Sequence, residues 1–174
     1  MPTIITHPAV ALLLRRASPA TLFTGALLAI LPDVDVLAFP LGIPYAHPLG
    51  HRGFTHSIVF AVITSLIAAR LLRVRGAWPA LVACALSHPL LDALTDGGLG
   101  VALFAPFDNR RYFFPWTPIR VSPIGAGFFS ARGLETLRSE ILWVWLPCAV
   151  VAAIMAAIMA SATRGSRPSK GRKG

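Results

Sequence analysis

Residues 141–160 read ILWVWLPCAVVAAIMAAIMA, a stretch without a single charge. About 20 apolar residues is the length a helix needs to cross the ~30 Å hydrocarbon core of a bilayer. Trp143 and Trp145 stand near its start, where indole rings favour the membrane interface, and an Arg/Lys-rich tail follows its end. This segment sets the expectation for the whole chain: an all-α, polytopic helical membrane protein.

Composition points the same way, since 55% of the 174 residues are hydrophobic and only 13% charged, too apolar for an ordinary soluble domain of this size. Working outward, a short N-terminal helix is expected over about residues 8–16 and a membrane segment over about 19–31, stopped at Pro32. Further helices are expected over about residues 55–72, with Thr55 as N-cap, about 78–95, ended by Gly97-Gly98, and about 140–160. The sum is about four membrane-embedded helices plus the short N-terminal one, in a domain over 1–162 followed by a disordered basic tail over 163–174. No internal repeat and no cleaved signal peptide is expected.

The net charge is +9, which raises the question of nucleic acid. Its distribution answers differently: the basic residues gather at Arg15 and Arg16, at Arg70 to Arg75 and in the tail, positions that flank membrane segments and suit anionic headgroups. No aromatic–basic interleaving is present, so membrane lipid and not nucleic acid is the expected partner. The Lys/Arg bias places the tail in the cytoplasm. Cys84 and Cys148 lie inside apolar segments without a Cys or His neighbour and are expected to be packing residues.

Against this apolar background the ionisable residues are concentrated. Four of the five His and four of the five Asp residues fall between Asp33 and Asp96. His88 and Asp92 are four apart, one face of a helix. Asp33 and Asp35 stand in Leu31-Pro32-Asp33-Val34-Asp35, and His51 and His56 in Gly50-His51-Arg52-Gly53-Phe54-Thr55-His56-Ser57, all at expected helix ends. Imidazole and carboxylate are costly to leave unpaired in an apolar helix and are ligands for zinc and related divalent ions. Taken singly, each has a plainer reading, His51 as an interface histidine, Asp33 and Asp35 as caps, His88 as a buried hydrogen-bonding residue. Taken together, helix ends that meet at one membrane face favour a metal site. His7, in Thr6-His7-Pro8, is able to fold back to it, whereas His47 reads as a loop residue.

These motifs resemble the YdjM-like family of membrane-bound metal-dependent hydrolases: the N-terminal Thr-His, Leu-Pro-Asp-Val-Asp, Gly-His-Arg-Gly-Phe-Thr-His-Ser, and Ser-His-Pro-Leu-Leu-Asp-Ala-Leu-Thr-Asp-Gly-Gly. The resemblance extends over most of residues 6 to 125, including Asn109-Arg110-Arg111-Tyr112-Phe113-Phe114-Pro115. Through the family it implies a distant similarity to the zinc-dependent phospholipase C and P1 nuclease group, and so hydrolysis of phospholipid or other phosphodiesters at a bacterial inner membrane. It implies a divalent metal, zinc first, held by His7, Asp33, Asp35, His51, His56, His88 and Asp92, with Asp96 and His47 as weaker members. The implied chemistry is attack of metal-activated water on phosphorus, with Asp33 or Asp35 orienting the water or taking its proton, and Arg52, Arg110 or Arg111 meeting the phosphate. Phe113, Phe114 and Trp116 are expected to hold the acyl region of a lipid substrate. The chain departs from the phospholipase group in having no glutamate in the motif region, only Glu135 and Glu140 beyond it. The alternative readings are a non-enzymatic divalent-metal transporter and a membrane protein that metal merely stabilises.

Overall fold

The computed structural model describes residues 1–14, 17–73, 76–123 and 125–165. A short 3-10 helix, His7–Leu14, precedes helix α1, Pro19–Ile30. Ser18 caps α1, its hydroxyl accepting the Thr21 N–H at 3.2 Å, with Pro19 in the first turn where its missing donor costs nothing. Pro32 cannot donate to the helical ladder, and the chain tightens there into a 3-10 segment, Leu31–Ala38, that carries both Asp33 and Asp35. Helix α2, Ile58–Leu72, is capped by Ser57, which accepts the Phe60 N–H at 3.0 Å. The expected cap Thr55 is turned elsewhere, onto Asp35. Helix α3 is Trp78–Ala93. Among the described residues there is no strand, only two isolated bridges, Thr95 with Ile119 and Val101 with Tyr112.

The last helical run begins earlier than expected. Helix α4, Ala131–Glu140, passes through a π-turn, Ile141–Trp145, into α5, Leu146–Gly165. In the sequence Glu140 reads as a helix start because the charge-free run begins after it. In the fold it is fully buried and accepts hydrogen bonds from the Thr3 backbone N–H and hydroxyl and from the Thr6 hydroxyl, so the helix passes through it.

Among the described residues two helical runs are long and apolar enough to cross a membrane, Pro19–Ala38 and Ala131–Ala162; Ile58–Leu72 is apolar but shorter. The expectation of four membrane-embedded helices is thus met in part. Helix α3 has 16 residues and spends some of them on Ser87, His88 and Asp92, which lowers its apolar character. Along α5, Val150, Ile154, Met155 and Ile158 are 43–62% exposed, an uncovered apolar face suited to lipid. Arg15, Arg16, Arg75 and residues 166–174 of the expected basic tail lie outside the described residues.

Small residues let the helices approach closely. Leu28 of α1, Ala61 of α2 and Leu81 and Ala85 of α3 form one core cluster with Ala77. Ala9, Ile119 and Val144 form a second, against which Leu91, Leu94, Trp145 and Cys148 pack, so the N-terminal 3-10 helix is seated between α3 and α5. Leu81 is completely buried where α1, α2 and α3 meet. Leu81→Ala should therefore destabilise the fold by about 2–5 kcal/mol, read as a lowered melting temperature in detergent.

A buried histidine and aspartate centre

Five segments deliver the site. His7 opens the N-terminal 3-10 helix, Asp33 and Asp35 come from the 3-10 segment after α1, His51 and Arg52 from the following loop, His56 from a short 3-10 turn, Phe54–His56, and His88 and Asp92 from one face of α3. The loop is tied tightly enough that a Cβ on Gly50 would stand 2.2 Å from the Pro44 carbonyl oxygen, and one on Gly53 2.1 Å from that of Pro48. Only glycine fits at either place, which is why His51 and Arg52 are bracketed by glycines. Arg52 itself has a left-handed backbone, φ 61°, a conformation uncommon outside glycine and typical of functional sites.

All of these side chains are buried, with His7, Arg52, His56, His88 and Asp92 at 0% exposure. Their donor atoms converge. His56 Nε2 lies 3.0 Å from His88 Nε2, 3.3 Å from Asp92 Oδ2 and 3.8 Å from Asp33 Oδ1. His88 Nε2 is 3.5 Å from Asp33 Oδ1, and His7 Nε2 is 3.9 and 3.8 Å from Asp33 Oδ2 and Asp92 Oδ1. Around a tetrahedral zinc with bonds of about 2.0–2.1 Å, ligand atoms stand about 3.3 Å apart. The observed spacings bracket that value. Three triads qualify by proximity: His7, Asp33 and His88; Asp33, His51 and His56; His56, His88 and Asp92.

Hydrogen bonding separates ligand candidates from the residues that orient them. Both oxygens of Asp33 and of Asp92 and both nitrogens of His7 are buried without a hydrogen-bond partner, a state that costs several kcal/mol unless something else compensates. Asp35 is the opposite case. Its Oδ1 meets His51 Nδ1 at 2.6 Å, and its Oδ2 accepts from the Thr55 hydroxyl at 2.6 Å and the Arg52 backbone N–H at 3.1 Å and lies 3.0 Å from His56 Nδ1. Asp35 thereby aims two imidazoles, turning His56 Nε2 onto His88 Nε2 at 3.0 Å, and His88 Nδ1 donates to the Ala29 carbonyl at 2.7 Å. The structure places Asp35 behind the ligands.

Arg52 is fully buried. Its guanidinium donates to the Gly97 carbonyl at 2.9 Å and the Thr95 hydroxyl at 3.0 Å, and its Nε is 3.0 Å from Asp92 Oδ2 without the N–H pointing at that oxygen, an ion pair and not a hydrogen bond. It fixes Asp92. Arg111 donates to the carbonyls of Tyr45, His47 and His51, and Arg110 is at the surface on Asp108. Each of the three guanidiniums expected at a phosphate is thus engaged within the protein. Asp96 points away, bound by Arg120 at 2.7 Å and the Val121 N–H at 2.8 Å; its slight burial opposes ionisation, but these bonds hold its carboxyl below the ordinary range. His47 is exposed, and its ring Nδ1 accepts the Leu49 N–H. The sequence did not connect Thr55, Thr95 or Glu140 with the centre; an ionisable residue adjoining an apolar run, as Glu140 is, was the available signal.

Two cavities reach the centre. One, of about 360 Å³, ends on Asp33; the other, of about 230 Å³, ends on His51 beside Phe39 and Tyr45. Phe113, Phe114 and Trp116 line neither.

Burial, and then the facing His88 imidazole, hold His7 well below its ordinary pKa, leaving it neutral with a lone pair to offer. For His56 burial works downward, but Asp35 and Asp92 outweigh it and raise the group to about 9. A proton on His56 partly neutralises the carboxylates when no cation does.

Fold and centre together define an all-helical integral membrane protein with a buried histidine and aspartate cluster of metal-binding geometry. The chain belongs to the YdjM inner membrane protein family, which it matches over residues 1–164. Among its relatives, inner membrane protein YbcI of Escherichia coli (strain K12) is 42% identical over 163 residues, covering 84% of this chain and 92% of the relative. No solved structure matches it.

Because His56 must lose its proton to bind a cation, affinity for Zn²⁺ should rise with pH up to about 9, by as much as about tenfold per pH unit for one released proton. Titration calorimetry in buffers of different ionisation enthalpy should register that proton.

Proposed function

We propose that this protein is a membrane-bound, metal-dependent hydrolase of phosphate esters, with zinc as the favoured cation. The observation that carries the reading is the pair of fully desolvated carboxylates, Asp33 and Asp92, surrounded by imidazole nitrogens and lacking any hydrogen-bond donor. At the centre Asp33, Asp35 and Asp92 face the single buried guanidinium of Arg52, an excess of negative charge that a divalent ion would offset in place of the proton on His56.

His7, His56, His88, Asp33 and Asp92 would hold the cation, with His51 at the edge of the group. When bound, it would acidify a water molecule and draw charge from the phosphate oxygens. Hydrolysis forms a P–O bond to the water oxygen and breaks the P–O bond to the alcohol, the water proton ending on the departing oxygen. Asp33 stands where a cavity meets the centre, so with one oxygen toward the cation its other oxygen would orient the water and take its proton on the way. Asp35 holds the imidazoles, and Arg52 holds Asp92.

A purely structural metal would tie the same five segments together, and the cluster does join them. Structural sites are closed, however, whereas hydrolytic ones keep a position open to substrate. Cavities that end on Asp33 and His51 favour catalysis. The distant similarity to zinc phospholipases and P1 nuclease, implied by the motifs, leads to the same reaction class.

Purified in detergent, the zinc-loaded protein should hydrolyse bis(p-nitrophenyl) phosphate. Chelation should abolish turnover, and His88→Ala and Asp92→Ala should each lower kcat by at least about a hundredfold, the scale of losing a group that stabilises the transition state. Turnover unchanged in both variants would remove the mechanism.

A further inference from the structure

The cavity that ends on Asp33 differs in character from the centre it meets. Most of its lining is apolar, Ile4, Ile5, Val36, Pro123 and Phe128 among it; the hydroxyls of Thr3 and Ser122 are bonded within the protein, and Asp33 is the one ionisable side chain. A water-soluble phosphate ester gives such a wall nothing to bind: the cavity has no cationic side chain to pair with a second charge and scarcely a donor for a sugar or a base. A hydrocarbon chain suits it.

The position of the cavity says how a chain would enter. Val36 and Asp33 belong to the last turns of the candidate membrane span Pro19–Ala38. Beside them Val34 and Leu37 are 56% and 62% exposed, and Ile4 and Ile5 at the rim are 51% and 60% exposed. A mouth framed by uncovered aliphatic side chains, built partly from a span, opens at the depth of lipid and not into water.

We propose that this cleft takes the hydrocarbon tail of a membrane lipid whose phosphate ester lies at the histidine and aspartate centre. The substrate class is then a lipid phosphoester drawn sideways from the bilayer. This rests on the hydrolase reading for the reaction, but not for the binding of the tail. The acyl-binding role moves from Phe113, Phe114 and Trp116 to the N-terminal segment and the turn after α1.

The test uses the full chain, zinc-loaded, in lipid nanodiscs. The probe is a hexadecylphosphonate with a mid-chain diazirine, whose C–P bond cannot be hydrolysed. Photolabelling should concentrate on Ile4, Ile5, Val36 and Phe128 over the lipid-facing Ile154 and Ile158 of α5. Chelation, Val36→Trp and Ile5→Trp should each cut the cleft label about tenfold, equivalent to about 1.4 kcal/mol, while Ile158→Trp should leave it intact. Ile5 is exposed enough for a bulky side chain to leave the fold alone, and an unchanged zinc content in both cleft variants verifies that. Label spread evenly over lipid-facing residues, or indifferent to Val36→Trp and Ile5→Trp, overturns the cleft. Cleft labelling in a protein that turns over no phosphate ester overturns the hydrolase reading and upholds the lipid site.

Discussion

Two carboxylates without a hydrogen-bond donor, at the junction of five segments, are the constraint to which the rest of the structure answers. Asp33 and Asp92 are out of water and accept no hydrogen bond, although Arg52 Nε and His56 Nε2 stand close to Asp92. An ionised carboxylate in that state is among the costliest things a fold can contain. Arg52 offsets one charge through its contact with Asp92, and the surrounding imidazoles offer lone pairs once they are neutral. Further positive charge at its centre stabilises the arrangement, from a proton on His56 or, on the proposed reading, from a dication.

Much of the local architecture serves to hold that centre. Asp35 spends both oxygens on aiming His51 and His56. Gly50 and Gly53 permit the knot that presents His51 and Arg52, and Arg52 accepts a left-handed backbone to enter it. Glu140, far along the chain, grips Thr3 and Thr6, while Trp145 donates to the Thr6 hydroxyl; the residue that follows is His7. The long last helix therefore fastens one edge of the centre, and the π-turn just after Glu140 marks where its register yields to that demand.

The lipid-facing character of the chain was legible because a run of about twenty uncharged, apolar residues matches the thickness of a bilayer and exceeds what the core of a chain this small can cover. The membership of the site was legible for a related reason: His and Asp are expensive in apolar segments, so their concentration between Asp33 and Asp96 had to mean something. What the sequence did not disclose was the division of labour. Asp33 and Asp35 are two residues apart and chemically identical, yet one is bare and the other fully engaged, a difference set by Thr55, Arg52 and His51 arriving from elsewhere. Arg52 read as a substrate contact because exposed arginines bind phosphate, whereas long-range packing buried it against Thr95 and Gly97. The start of the last helix was missed because the hydropathy change at Glu140 hides a helix that continues through a satisfied charge. Of the four expected membrane helices, two runs have spanning length among the described residues; α2 is apolar but shorter, and α3 gives part of its length to the polar site.

The most direct test of this account is zinc K-edge X-ray absorption on the purified, full-length protein. It predicts a stoichiometric ion with only nitrogen and oxygen neighbours at about 2.0–2.1 Å and the outer-shell scattering of several imidazoles. A correctly folded protein that binds no divalent ion at neutral pH, or one that holds it through sulfur, would contradict the account.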